Sequence, residues 1–256
     1  MIYDYSPFLI RFTDNFGLRY YSLAYLLGTL LTYIWLVYVA RYDKDKLADY
    51  TLYGFLAIVI GGRLGELFFY HPEWLWTNPL QIIKIWEGGM SFHGGFIAVF
   101  FWTWYFLKKQ KWDFLEFSDA LVVPAAFGLA LANIGNFFNS ELWGVETTVP
   151  WCFEVPGKAG CLHPSQLYQA LGNITLSLFL LFFYRRPHKK GLITALFIIG
   201  YGLARITVEV FWRVPDWAFW GISSGTWLSI PMVGVGVVLL FRICQLRAET
   251  LRPPAH

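Results

Sequence analysis

Long apolar runs alternate with short polar segments along most of this chain. Each run is close to the roughly 20 residues that a helix needs to cross the hydrocarbon layer of a membrane. Charged residues or Gly/Pro-containing turns end the runs. The pattern predicts an all-α integral membrane protein with about seven transmembrane helices, over residues 19–40, 51–70, 92–107, 119–138, 166–184, 192–211 and 227–246.

The segments outside these runs suggest one membrane domain. The first residues lack the basic region, apolar core and cleavage site of a signal peptide, so we expect the N-terminus to stay uncleaved. Residues 5–17 are predicted to form a short interfacial helix. Because no repeat or linker interrupts the chain, we expect a single polytopic domain over 1–256. Its main outside excursions are predicted at 71–91, 139–165 and 211–226.

The basic residues predict the orientation of the helices. Thirteen Lys and Arg fall in four alternate segments and five in the others. The richer segments are 41–46, 108–111, 185–190 and 242–256. Since Lys and Arg concentrate on the cytoplasmic side, the N-terminus is expected outside and the C-terminus inside.

Composition supports the membrane assignment and limits the partners. Hydrophobic residues make up 57% of the chain and charged residues 14%, against roughly 25% charged in soluble domains. The net charge of +3 follows from the orientation signal, so no nucleic acid partner is expected. Cys152 and Cys161 share the predicted outer loop, and the sequence leaves open whether they form a disulfide. Without a matching His/Cys set they make a poor zinc site, so we expect neither a metal nor another cofactor.

Ionisable residues inside predicted spans are costly and face a bundle interior or a wet cavity. Arg63 and Glu66 are three apart on one helix face, and form either a structural ion pair or part of a site. Tyr201, Arg205 and Glu209 form a second stripe at spacings of four. Here the alternatives are a local ion pair or an arginine that clamps a phosphate group.

Two further sets of polar residues are candidates for a site. His93 lies in GGMSFHGGF, between glycines that permit close approach of a ligand, and is either an interfacial residue or a catalytic one. Asn133, Asn136 and Asn139 recur every three residues and are followed by Glu141. They either join helices through hydrogen bonds or line a polar pocket near the outer surface.

Six stretches together resemble one family. They are Tyr20-Tyr21, WEGGMSFHGG (86–95), NIGNFFNSELWG (133–144), HPSQLY (163–168), YGLARITVE (201–209) and LSIPM (228–232). In this order they are similar to the prolipoprotein diacylglyceryl transferases, multi-pass enzymes of the bacterial plasma (inner) membrane.

The resemblance implies a reaction and roles for the residues. The donor would be phosphatidylglycerol among the membrane lipids, and the acceptor the lipobox cysteine in the signal-peptide region of a prolipoprotein. A thioether would form and glycerol phosphate would leave. The implied catalytic residues are His93 as the base, Arg205 as the phosphate clamp held by Glu209, and Tyr21 near the head group. The implied substrate-binding residues are Asn133, Asn136, Asn139, Glu141, Gly144, Tyr201, Glu209 and Arg63.

The chain departs from the family pattern at several motif positions. Asn133 stands where the pattern has Arg, and neutral Asn cannot supply that charge. Leu162 and Gln169 flank HPSQLY where the pattern has Arg and Glu, and Thr226 replaces Gln. Arg63 is a candidate to supply the missing charge. The alternatives are a divergent paralogue with another acceptor, or a phospholipid-binding membrane protein without catalysis.

Overall fold

A computed structural model describes residues 1–13, 17–69, 71–84, 90–213 and 218–250. Its helices are α1 (Tyr20–Tyr38), α2 (Lys44–Phe69), α3 (Trp74–Thr77), a 3-10 helix (Pro79–Ile83), α4 (Phe92–Gln110), α5 (Phe114–Phe138), α6 (Ser165–Tyr184), α7 (Leu192–Phe211) and α8 (Ser224–Thr250). Among the described residues, six of these helices are long and apolar enough to cross a membrane: α1, α2, α5, α6, α7 and α8. The predicted all-α integral membrane fold is therefore confirmed. A membrane crossing by α4, and the orientation of the termini, stay predictions.

The expected interfacial helix at residues 5–17 is wrong. Strand β1 (Phe8–Arg11) pairs with β2 (Gly17–Arg19) in a two-stranded sheet, and residues 14–16 lie outside the described part of the chain. The backbone N–H of Tyr20 donates to the carbonyl of Pro7 at 3.2 Å, where α1 begins. A helix this short would leave most of its end groups unpaired, whereas the strand pair gives backbone groups partners.

The contacts between residues divide the chain into two compact units. The first unit comprises residues 1–10, 18–32 and 115–256, and the second comprises residues 11–17 and 33–114. The single domain expected over 1–256 stays a prediction.

Glycines allow α2 and α4 to pack closely in the second unit. A Cβ atom added at Gly65 would lie 2.7 Å from the Cα atom of Gly94. Ser91 caps the start of α4 by accepting a hydrogen bond from the Gly94 N–H at 3.3 Å. Further along, the hydroxyls of Tyr50 and Thr103 are 2.9 Å apart. Small residues and one polar pair therefore hold the two helices together, as is common in membranes.

Small residues also set the register of the antiparallel helices α6 and α7 in the first unit. A Cβ atom added at Gly172 would lie 3.6 Å from the Cβ atom of Ala204. One turn further, a Cβ atom at Gly200 would lie 2.5 Å from a methyl carbon of Leu176. Since the rise is about 1.5 Å per residue, these contacts fix which residues of the two helices share a depth.

A buried carboxylate organises the turn between α6 and α7. Asp119 on α5 accepts hydrogen bonds at 2.7 Å from the N–H of Gly191, and from both the N–H and the hydroxyl of Thr194. The N–H groups at the start of a helix otherwise lack partners. Asp119 thus fixes the beginning of α7 against α5.

The loop between α5 and α6 folds as a small cap, which we call the disulfide cap (residues 139–164). Cys152 and Cys161 form a disulfide, which decides the question that the sequence left open. Strands β3 (Phe153–Glu154) and β4 (Cys161–Leu162) pair antiparallel beside it, and β5 (Ala218–Phe219) pairs with β6 (Ile222–Ser223) before α8. The apolar cluster beneath β3 and β4 consists of Tyr3, Phe137, Trp143, Phe153, Val155 and Leu162.

Candidate functional site

Two arginines share one buried carboxylate on the last turns of α7 and just beyond. The Glu209 Oε1 atom lies 2.8 Å from Arg205 Nη2 and 2.9 Å from Arg213 Nη1. The side chains of Glu209 and Arg213 are 4% and 2% exposed, whereas that of Arg205 is 25% exposed. Both guanidinium groups therefore contact the same carboxylate oxygen. Because Arg205 keeps exposed surface, its guanidinium group is accessible to an anion.

A chain of hydrogen bonds joins this arginine pair to the Asn/Glu segment after α5. Arg213 Nε donates to Ser165 Oγ at 3.3 Å, and Ser165 Oγ donates to the carbonyl of Leu142 at 2.5 Å. Next to it, the side-chain amide of Gln166 donates to the carbonyl of Glu141. The beginning of α6 therefore connects two regions that the sequence analysis treated as separate candidates.

Gly144 allows the disulfide cap to lie against the end of α7. Its N–H donates to the carbonyl of His163 at 2.9 Å, and the next N–H, of Val145, donates to the carbonyl of Trp212 at 3.0 Å. A Cβ atom at Gly144 would clash with the Trp212 carbonyl oxygen and lie 2.7 Å from the His163 Cβ atom. Gly144, expected to bind substrate, is thus in a position where only glycine fits.

Gly225 has the same function at the beginning of α8. A Cβ atom there would lie 2.7 Å from the carboxylate carbon of Glu209 and 3.0 Å from Arg205 Nε. Helix α8 therefore packs directly on the arginine pair, and the absence of a side chain at Gly225 makes this possible.

Asn133 and Asn136 on α5, and Asn139 just after it, do not form one exposed polar face. Asn133 is 8% exposed, and its amide donates to the carbonyl of Leu129 at 2.7 Å within its own helix. Asn136 is half-buried. Asn139 Nδ2 lies 3.5 Å from Glu141 Oε1, and its own Oδ1 atom is buried without a hydrogen-bond partner among the described residues. The Asn139 amide therefore contacts the Glu141 carboxylate, whereas the Asn133 amide bonds to the backbone of its own helix.

Glu141 keeps exposed surface but is surrounded closely enough for its ionisation to change. Desolvation by burial raises the pKa of Glu141, while the hydrogen bond from Asn139 and the positive charge of Arg19 oppose the rise. The carboxylate thus holds its proton more tightly than a free glutamate does.

The tyrosines expected near the head group lie on α1 and α7. The Tyr21 hydroxyl is 3.1 Å from that of Tyr25, and the Tyr21 ring lies so close to α5 that a Cβ atom at Gly135 would be 2.9 Å from it. Tyr201 stacks on Phe197 one turn away, with ring centroids 5.9 Å apart.

His163 belongs to a second group of aromatic residues in the disulfide cap. Tyr168 Oη lies 2.9 Å from His163 Nδ1 and accepts a hydrogen bond from Trp151 Nε1 at 2.8 Å. Since an indole N–H only donates, Tyr168 Oη accepts the bond from Trp151, and the direction of its bond with His163 depends on the tautomer of the ring. Burial lowers the pKa of His163, which favours the neutral ring.

His93 and Arg63 belong to the second unit, and their surroundings are described within that unit. His93 is exposed on the first turn of α4, and Gly88 and Gly89 before it lie outside the described residues. Arg63 is 3% exposed, and donates to the carbonyls of Gln81 and Ile82 while its guanidinium lies 5.1 Å from the ring centre of Trp74. The partners of these contacts are backbone carbonyls and an aromatic ring, so both alternatives for Arg63, the ion pair with Glu66 and a part in the site, stay predictions. The meeting of His93 with Arg205 and Glu141 stays a prediction.

The sequence analysis missed several residues of the site. Arg213 was counted with the outer loop charges, although its spacing of four from Glu209 continues the stripe that begins at Arg205. A stripe of buried polar residues on α6 was missed as well: Gln166, Gln169, Asn173 and Ser177. Their spacings of three and four could have revealed a polar helix face.

The fold and the site define a multi-pass membrane protein with a polar, arginine-containing site at the ends of α5 and α7 and the beginning of α6. Comparison with known proteins is consistent with this class. The family model for prolipoprotein diacylglyceryl transferase matches residues 7–242. The chain is similar to the phosphatidylglycerol–prolipoprotein diacylglyceryl transferases of Pseudoalteromonas atlantica, with 42% identity, and Polynucleobacter asymbioticus, with 41% identity. The alignments cover 88% of this chain and 84% of the first relative, and 93% and 96% for the second. The chain therefore belongs to the prolipoprotein diacylglyceryl transferase family.

Proposed function

We propose that this protein transfers the diacylglyceryl group of phosphatidylglycerol to the thiol of a lipobox cysteine in a prolipoprotein, at the plasma membrane of a bacterium. The observation that carries the proposal is the arginine pair. Arg205 and Arg213 share Glu209, and the guanidinium group of Arg205 keeps exposed surface. An anionic phosphate ester is the ligand that such a pair suits best.

The reaction needs two things from the protein. The cysteine thiol must lose its proton to become a nucleophile, and the leaving phosphate must be stabilised. The thiolate attacks the glyceryl carbon that carries the phosphate ester. The new C–S bond forms as the C–O bond breaks, and the electron pair leaves with glycerol phosphate. His93 is the proposed acceptor of the thiol proton.

The remaining residues position these groups. Glu209 holds both guanidinium groups in place, and Ser165 links Arg213 to the Asn/Glu segment. Tyr21, Tyr201, Asn136, Asn139 and Glu141 are proposed to surround the head group. Asn133 and Arg63 are proposed as supporting residues of the pocket, and Gly144 as the residue that lets the disulfide cap close over it.

The test uses purified protein, phosphatidylglycerol and a peptide that contains a lipobox cysteine. Release of glycerol phosphate and formation of the thioether are measured together. Arg205→Ala is expected to lower kcat by about 10²–10³-fold, the usual cost of one lost oxyanion donor. Arg242→Ala, which removes an exposed arginine of α8, is the matched control and should turn over normally. Lipid binding without turnover in the unaltered protein would contradict the proposal.

A further inference from the structure

The stripe of amides on α6 is buried but incompletely hydrogen-bonded. Gln166, Gln169 and Asn173 are each at most 1% exposed. Among the described residues no partner reaches five of their side-chain atoms: Gln166 Oε1, Gln169 Oε1 and Nε2, and Asn173 Oδ1 and Nδ2. Buried polar groups in proteins nearly always have partners. Two amides side by side with neither atom paired indicate that a polar molecule completes the region.

Contacts along α6 place these amides at the depth of the arginine pair. Ser165 bonds Arg213, and Gly172 packs against Ala204. Counting along the two antiparallel helices from these contacts brings Gln169 level with Glu209 and Asn173 level with Arg205, to within about 3 Å along the axis. Positive charge and neutral amides thus occupy one layer of the first unit.

The same layer extends to α5. Ser177 Oγ donates to the carbonyl of Val123 at 2.9 Å, and at the other end of α6 Gln166 donates to the carbonyl of Glu141. Between these two contacts, Asn133 falls level with Gln166 and Gln169. The amide groups are therefore enclosed by the helices that carry the rest of the site.

The chemistry of the stripe selects its ligand. An amide offers both donors and an acceptor, and a hydroxyl group can satisfy either. A phosphate oxygen only accepts and an ammonium group only donates. Neither could therefore bond both the amide nitrogen and the amide oxygen of Gln169 or of Asn173. The partly exposed guanidinium group of Arg205 at the same depth is suited to bind an anion. A molecule with a phosphate ester and free hydroxyls a few atoms away meets both requirements.

We propose that Gln169 and Asn173 form a subsite for the free hydroxyl groups of the donor lipid's head group and thereby select a polyol head group. Gln166 supports the subsite through its bond to Glu141. The proposal rests on the proposed function, since it concerns which phospholipid that reaction accepts. Gln169 and Asn173 are specificity residues, and they are not required to touch the reacting carbon.

The experiment compares two donors with identical acyl chains. They are phosphatidylglycerol and phosphatidylpropanol, whose head group has three carbons but no free hydroxyl. Thioether formation on the lipobox peptide is measured for both donors, because it does not depend on the leaving group. Gln169→Leu and Asn173→Leu remove the amides. Thr175→Val, on an exposed face of the same helix, is the control.

The unaltered protein should prefer phosphatidylglycerol by at least about tenfold in kcat/KM, the effect of losing about one hydrogen-bonded pair. Each leucine variant should react more slowly with phosphatidylglycerol and at an unchanged rate with phosphatidylpropanol, so that the preference is lost. Thr175→Val should keep it. Equal losses with both donors, or no change in preference, would overturn the subsite and mean that water alone occupies the amides.

A second measurement separates this proposal from the proposed function. Stabilisation of the detergent-solubilised protein by each lipid is read as a shift in Tm, which needs no turnover. A larger shift with phosphatidylglycerol, lost in Gln169→Leu, supports the subsite even if no thioether forms and the proposed function fails. Equal shifts with both lipids overturn the subsite even if transfer proceeds. If Gln169→Leu does not fold, Gln169→Met and Asn173→Leu serve instead.

Discussion

Two buried carboxylates lie near the opposite ends of α7, and their hydrogen-bond partners differ. Asp119 receives hydrogen bonds from neutral backbone and hydroxyl groups of the turn that begins the helix. Glu209, on the last turns, is bonded by two arginines. Three donors at the start of a helix bind Asp119 and hold α7 against α5, whereas Arg205, which binds Glu209, keeps exposed surface. An accessible guanidinium group, and not burial of the carboxylate alone, therefore distinguishes the candidate site from the structural contact.

Removing Glu209 should produce the largest effect at the arginine-rich end. Glu209→Ala leaves the buried guanidinium of Arg213 without its carboxylate, so we expect the free energy of unfolding to fall by about 3–5 kcal/mol. Turnover should fall by about 10²–10³-fold because Arg205 loses its fixed position. Thermal unfolding in detergent and the glycerol phosphate assay measure the two effects. A variant with full turnover would show that Glu209 does not position Arg205.

Filling the space beneath the arginine pair should displace it without removing a charge. In Gly225→Ala the new Cβ atom would lie 2.7 Å from the Glu209 carboxylate carbon, so the pair or α8 must shift. We expect overpacking to cost about 1–3 kcal/mol and turnover to fall with it. Gly234→Ala on the same helix has no atom within 4 Å of the added Cβ and is the control. Equal results for the two variants would show that α8 does not hold the pair in place.

An arginine at residue 133 would add a positive charge at the depth of the arginine pair, and it tests whether this layer tolerates that charge. Asn133 is buried at the depth of Gln169, and an unpaired guanidinium there is expected to cost about 3–5 kcal/mol. Asn133→Arg combined with Gln169→Glu supplies a carboxylate at that depth and should recover most of the loss. Both are measured as free energies of unfolding in a double-mutant cycle. If the single variant is stable and faster, residue 133 lies against the donor phosphate instead.

The Asp119 end should respond through stability alone. Thr194→Val removes one hydroxyl donor from Asp119 while keeping the size of the side chain. Loss of a hydrogen bond to a charged acceptor is expected to cost about 1.5–3 kcal/mol, and kcat of the folded protein should stay unchanged. A marked change in kcat without a change in the free energy of unfolding would mean that the hydrogen bonds of Asp119 influence the arginine pair.

Much of the fold could be predicted because the apolar runs are long. The beginnings of α6 and α7 were placed within a residue, whereas α2 begins at Lys44, seven residues before its apolar run. A membrane helix can extend into water, and hydropathy carries no signal for that extension. Residues 5–17 were expected to form a helix, whereas β1 pairs with β2, because pairing between two strands decides the structure there.

The site could be predicted only in part, for a related reason. Spacing along α7 correctly paired Arg205 with Glu209. Arg213 was missed because it lies two residues beyond the end of α7, in a loop, where helical spacing was not applied. The hydrogen bond between Arg213 and Ser165 depends on how the beginning of α6 packs beside the end of α7. Spacing within one segment contains no information about such packing.

The Cys152–Cys161 bond has a consequence for how the protein is made. Bilayer insertion can complete every helix while both thiols are still reduced, so oxidation of the hairpin is a separate, later event. Cell-free synthesis into nanodiscs without an oxidant would therefore yield correctly inserted helices and a disulfide cap whose two cysteines are still reduced.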